Sequence, residues 1–172
     1  KTWAYLKELD KYIDYYPTGT AITFRALAEG SVYIIASHLG WDMNQRILGV
    51  IPQTFKDFFL KNTTWVTDAH FMCMPKGLDE NRKKATLQLM AWLLRPEMQA
   101  LTYDNGYFYP GPAIKNVPLS KAPAEIQEKI KSAMRKEYED AIRKFPSTTQ
   151  LGAKELVEAF DMWDRLVGSK VK

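Results

Sequence analysis

The sequence predicts an α/β fold, and three observations carry that reading. A helical pattern through Phe24, Leu27 and Ala28 stops at Gly30 and feeds directly into Val32-Tyr33-Ile34-Ile35. Consecutive β-branched and aromatic residues of this kind read as a strand buried on both faces of a parallel sheet. A second stretch, Trp65–Gly77 (WVTDAHFMCMPKG), reads as a long strand closed by Pro75-Lys76-Gly77. Amphipathic helices then follow in the second half of the chain, which completes the alternation.

Taken in order, Thr2 is placed to cap a first helix running to about Asp10, with Trp3, Leu6 and Leu9 on one face. Tyr12–Tyr16 reads as a short strand ended by the Pro17-Thr18-Gly19-Thr20 turn. Thr20 or Thr23 opens the next helix, Gly30 stops it, and Ser31–Ser37 is the buried strand. Ligand sites in open α/β sheets gather beyond the carboxyl ends of strands. That makes Ser37-His38-Leu39-Gly40-Trp41-Asp42-Met43-Asn44 the first candidate site, with His38, Trp41 and Asp42 as contacts. The competing reading makes Asp42 a helix cap with Trp41 packed beneath it. Ile47–Ile51 suggests a further strand. Phe55, Phe58, Phe59 and Leu60 suggest core packing in a short helix or turn.

Within Trp65–Gly77, alternation puts Val66, Asp68, His70, Met72 and Met74 on one face and Thr67, Ala69, Phe71 and Cys73 on the other. Asp68 is the anomaly, because an unpaired carboxylate buried among apolar residues costs several kcal/mol. It therefore requires solvent, a partner or a ligand. Asp79 caps an amphipathic helix whose apolar side is Ala85, Leu87, Leu89, Met90, Trp92, Leu93 and Leu94, and Pro96–Tyr103 continues as a second helix. Tyr107-Phe108-Tyr109-Pro110-Gly111-Pro112 is an aromatic turn held near the surface by its prolines, a pattern suited to a binding platform. Pro118–Ala122 is a polar connection. Pro123–Phe145 reads as a helix or broken helix, and Ala153–Val167 as a last helix burying Leu156, Val157, Phe160, Trp163 and Leu166.

Composition narrows the function. A chain of 172 residues, 46% hydrophobic and 26% charged, is one sizeable globular core and short for two. Its net charge of +4 comes from lysines and arginines interleaved with acids, as in Glu125–Arg143. Such interleaving makes solvated helix faces and argues against a nucleic-acid partner. Cys73 is the lone cysteine and His38 and His70 are the only histidines, so neither a disulfide nor a metal centre is expected. No phosphate-cradling or dinucleotide motif and no serine-hydrolase elbow occurs, and no cofactor is expected. An enzyme using Asp42 and Asp68 as an acid–base pair is the alternative. No apolar run reaches the ~20 residues that span a bilayer. The start at Lys1-Thr2-Trp3, without methionine, reads as a processed chain or a piece of a longer one.

The order LAEGSVYIIAS, GWD, WVTDAHFMCMPKG, LLRPE and NGYFYPGP across Leu27–Pro112 resembles the solute-binding proteins of ABC transporters. The closest resemblance is to the spermidine/putrescine-binding branch of the two-lobed, type II periplasmic binding protein fold. That resemblance implies a non-catalytic periplasmic receptor for a small cationic solute such as a polyamine, with an ABC permease as partner. It covers roughly the second half of a family member. It implies that residues 1–68 belong to lobe II, that 69–112 form the hinge strand and a segment returning to lobe I, and that 113–172 rejoin lobe II.

Carried over by position, Trp65 matches the family's stacking tryptophan and Asp68 its amine-binding aspartate. Tyr107, with Tyr109 beside it, matches the aromatic loop, and Trp41 an earlier cage tryptophan. A desolvated ammonium over such a ring gains about 2 kcal/mol. The family spaces its tryptophan and aspartate two apart; here they are three apart and face opposite ways in a regular strand. Convergence then requires a bulge. Without one, Asp42 or His38 supplies the polar contact, and the ligand is another small solute such as an anion or a metal complex. The helix carrying Trp92 and Leu93 would lack its lobe I cover, so a second copy is expected to cover it by dimerisation or segment exchange.

Overall fold

The computed structural model describes residues 1–109 and 111–168, and the fold is mostly helical with one small parallel sheet. Helix α1 spans Thr2–Leu9, α2 Thr20–Ala28, α3 Trp41–Ile47, α4 Glu80–Leu93 and α5 Pro96–Ala100. After a loop, α6 spans Ala124–Ala133, α7 Lys136–Lys144 and α8 Ala153–Trp163, and α8 runs on as one wider turn over Asp164–Gly168. Strands β1 (Trp65–Thr67) and β2 (Ser147–Thr149) pair in parallel, Trp65 opposite Ser147 and Thr67 opposite Thr149.

The helices follow local chemistry. Asp79 caps α4 by accepting from the Asn81 and Arg82 amides, and Pro96 opens α5 where its missing N–H costs nothing. The α6–α7 unit breaks at Met134-Arg135, both extended, so the expected broken helix is realised. Two expected strands are absent. Tyr12–Tyr16 is a tight turn followed by irregular chain. Ile47–Ile51 is instead the end of α3, where Gly49 N–H bonds to Arg46 O and Val50 N–H to Gln45 O, satisfying the last carbonyls. Thr2 lies inside α1 and does not cap it. Phe55–Leu60 forms no helix; Phe59 reaches the core while Phe58 and Leu60 are exposed.

Two further expectations are corrected for one physical reason. Ser31–Ser37 is irregular chain with bends at Ser31 and Tyr33, outside any ladder, and Tyr33 is 91% and Ile34 71% exposed. In the same way only Trp65–Thr67 of the long stretch enters a ladder, and Phe71 beyond it is exposed. An extended segment becomes a buried strand only beside another strand, and among the described residues none flanks these two. In α8, likewise, Val157, Phe160 and Leu166 are exposed rather than buried.

The deepest core is Met43, Ile130, Ala133 and Tyr138, where α3 meets α6 and the start of α7. A separate contact joins the chain's two ends: Tyr16 packs edge-on to Trp163 at 5.3 Å and its hydroxyl donates to Asp10 at 2.7 Å. The accessible surface is 13139 Å², against roughly 8,600 Å² expected for a compact monomer of this mass. No helix among the described residues is long and apolar enough to cross a membrane.

Candidate functional site

The site is built on α3 and the aromatic turn docked against it. Gly40, with φ of 78°, turns the chain so that Trp41 opens α3, its amide bonded to His38 O at 3.2 Å. The Tyr109 ring lies directly over Gly40, where a Cβ would stand 2.5 Å from Tyr109 Cδ1. A second close approach fixes the other end of the turn. A Cβ on Gly106 would stand 2.9 Å from Met43 Cγ, and Asn44 Nδ2 donates to Asn105 O at 3.0 Å. Glycine is required at both places, because any side chain would push the turn off α3.

Held this way, the turn continues the Trp41 ring into a wall. Trp41 and Tyr107 are 5.1 Å apart between centroids, Tyr107 and Phe108 4.7 Å, and Phe108 and His70 5.3 Å. Tyr107 and Phe108 keep 41% and 38% of their surface in solvent.

Beneath the wall lies a buried charge cluster. Arg46 Nε donates to Asp42 at 2.8 Å, and its Nη2 reaches Asp57 at 3.0 Å. The same guanidinium bonds the Pro52 and Phe55 carbonyls, tying the loop after α3 onto it. Burial pulls the guanidinium's pKa down, but the Asp42 hydrogen bond and the two carboxylate charges outweigh it and hold it high. Burial, then the charge of Asp42, pushes the Asp57 carboxyl up against the opposing pull of Arg46. The Tyr138 hydroxyl sits beside these carboxylates without an aligned hydrogen bond, and burial drives its pKa well up.

The remaining candidates fall in other places. Asp42 is neither a cap nor open to a solute; it sits within the first turn of α3, buried and engaged by Arg46. Trp65 belongs to a second aromatic group, edge-on to Phe59 at 5.6 Å and Phe145 at 6.1 Å, with its indole N–H donating to Ala141 O at 3.2 Å. Tyr109 links to that group through Tyr138 at 5.7 Å. Asp68 is exposed and accepts from Gln150, the next register position beyond the ladder. The ladder is continuous through Trp65–Thr67, so no bulge there turns Trp65 and Asp68 to one side. His38 is exposed and lines an open polar cleft of about 400 Å³ with Pro17–Thr20, Thr23 and Ser37.

Sequence reasoning therefore named Trp41 and the aromatic turn holding Tyr107 and Phe108, but not His70 as a neighbour of that turn. His70 carried no signal, since its contact depends on how the turn docks. Arg46 did carry one: Asp42 and Arg46 stand four apart in WDMNQRI, one helical turn. Among the described residues no three metal-ligating side chains cluster.

Residues 1–134 match a protein family described as bacterial extracellular solute-binding protein. No curated protein and no solved structure matches the chain. The family match covers most of the polypeptide, including α1 to α6, the wall and the buried charge cluster. The chain therefore belongs to the bacterial extracellular solute-binding proteins, a non-enzymatic family that binds solutes for ABC transport.

Proposed function

We propose that this chain holds a small cationic solute of the polyamine class against the Trp41–Tyr107–Phe108 wall and delivers it to an ABC permease in the periplasm. The observation that carries the reading is the wall itself: three contiguous rings, with Tyr107 and Phe108 partly in solvent, seated against α3. Ring faces carry negative quadrupole and attract ammonium groups while also accepting their methylene stems. Asp68 supports the same reading. It is exposed and stands two residues before His70, the residue that touches Phe108.

The reading extends to a type II two-lobed fold, with residues 1–68 and 113–172 in lobe II and 69–112 as the hinge strand and a segment returning to lobe I. The parallel pairing of β1 with β2 supports it, since two segments leaving side by side in one direction suit a pair of crossing strands. It also includes a second copy packed on α4. Leu87, Leu89, Trp92 and Leu94 are exposed there. The accessible surface of 13139 Å² exceeds that of a compact monomer by roughly 4,500 Å², so the chain carries ample surface for a partner to cover.

A thermal-shift panel tests the solute. Spermidine and putrescine are expected to raise the melting temperature in proportion to the logarithm of their concentration, while sugars and inorganic anions leave it unchanged. A shift with anions and none with amines would reverse the assignment.

A further inference from the structure

We infer that His70 is a specificity-determining contact, accepting a hydrogen bond from an amine N–H of the solute held on the wall. This rests on the polyamine reading above and adds a residue to it.

The wall needs a polar contact, because rings alone attract a cation without fixing where along the wall it sits. The polar groups expected to provide one are largely engaged. The Asp42 carboxylate is buried against Arg46. The Trp65 indole donates to Ala141 O and stands in another ring cluster. Asp68 accepts from Gln150. His70 differs on three counts. Its ring is part of the wall, edge-on to Phe108 at 5.3 Å and 85°. The residue is exposed. Among the described residues neither imidazole nitrogen makes a hydrogen bond.

The ring's place at the wall sets what it can offer a solute. Its contact with Phe108 is between rings and engages no imidazole nitrogen in a hydrogen bond, and the residue is exposed. A neutral imidazole offers one acceptor and one donor, and the acceptor suits an ammonium or amine N–H. The contact joins two stretches of chain distant in sequence, the segment after β1 and the aromatic turn. A solute spanning it would pin one to the other.

The test is calorimetric titration of the whole chain with spermidine, comparing the unaltered protein with three variants. His70→Phe keeps a ring against Phe108 but removes both nitrogens, and is expected to weaken binding about tenfold, the scale of a lost hydrogen bond to a charged group. His70→Gln keeps an acceptor and is expected to stay within about threefold of the unaltered chain. Trp41→Ala is expected to weaken binding tenfold or more. If His70→Phe binds like the unaltered chain while Trp41→Ala is impaired, the role of His70 fails and the wall stands. If His70→Gln is impaired as much as His70→Phe, acceptance of an N–H is excluded as the basis. If the unaltered chain binds no spermidine, the amine assignment and His70's part in it fall together.

Discussion

Arg46 Nε donates to Asp42 Oδ2 at 2.8 Å in a place where both side chains are shut away from water. A buried pair of this kind is dearer to break than it is valuable to have, because removing one partner strands the other. Arg46→Met is therefore expected to destabilise the chain by about 3–5 kcal/mol, read as the shift of the urea midpoint. The double variant Arg46→Met/Asp42→Leu should recover a large part of that loss, since no lone charge is then left inside. A loss under about 1 kcal/mol for Arg46→Met alone would mean the cluster is open to water.

Gly40 and Gly49 share nearly the same backbone, φ of 78° and 71°, but not the same surroundings. A Cβ on Gly49 meets nothing within 4 Å, whereas on Gly40 it meets the Tyr109 ring at 2.5 Å. Gly49→Ala should cost about 1 kcal/mol, the left-handed conformation alone. Gly40→Ala should cost at least 2 kcal/mol, adding a steric term of the overpacking kind. It should also weaken solute binding, because Tyr109 must move and the wall with it. Equal melting temperatures for the two variants would show that the turn is not seated on α3.

The helices were legible in the sequence because their signals are local. Asp79 before α4, Pro96 at α5 and the break before α7 each act within one turn of chain. The strands were not, because a strand needs a neighbour that the segment itself does not encode. Val32–Ile35 has the composition of a buried strand, yet lies in solvent where no described segment pairs with it. The site was half legible for the same reason. Trp41 and Tyr107 were singled out by residue type and loop position. The burial of Asp42 rests on its ion pair with Arg46, and the Phe108–His70 contact on how the turn is seated against Met43 through Gly106; a single stretch of sequence displays neither the burial nor the seating.

Trp92 stands on α4 with Leu87 and Leu89, Leu94 follows as the helix cap, and all four are exposed. At 3.6 residues per turn Leu89 and Trp92 share one side of the helix, and that pair is an apolar surface that water tolerates poorly. Light scattering is expected to give about twice the 19.8 kDa chain mass at high protein concentration. Trp92→Glu should return the mass toward that of a single chain, because it places a charge in the covered face. A single-chain mass for the unaltered protein across the concentration range would remove the second copy from the proposal.

Tyr16 fastens the end of the α1 segment to the last helix, donating to Asp10 and packing on Trp163. Burial, the Asp10 hydrogen bond and the Asp10 charge push its phenol from 10.0 up to about 12. The sign follows from which state holds the proton more tightly. In the folded chain Tyr16 stays protonated where the unfolded chain has already lost that proton, so the contribution is complete below pH 10 and is lost as pH rises from 10 toward 12. Melting temperature should therefore fall across that window. Tyr103, Tyr109 and Tyr138, also raised by burial, contribute in the same direction. Tyr16→Phe should lower stability at neutral pH by about 1 kcal/mol, one hydrogen bond to a charged acceptor at a half-exposed site, and flatten part of the alkaline decline. The tyrosinate absorbance should lose its step near pH 12 in the same variant. An unchanged alkaline profile in Tyr16→Phe would mean the two ends of the chain are not joined through this residue.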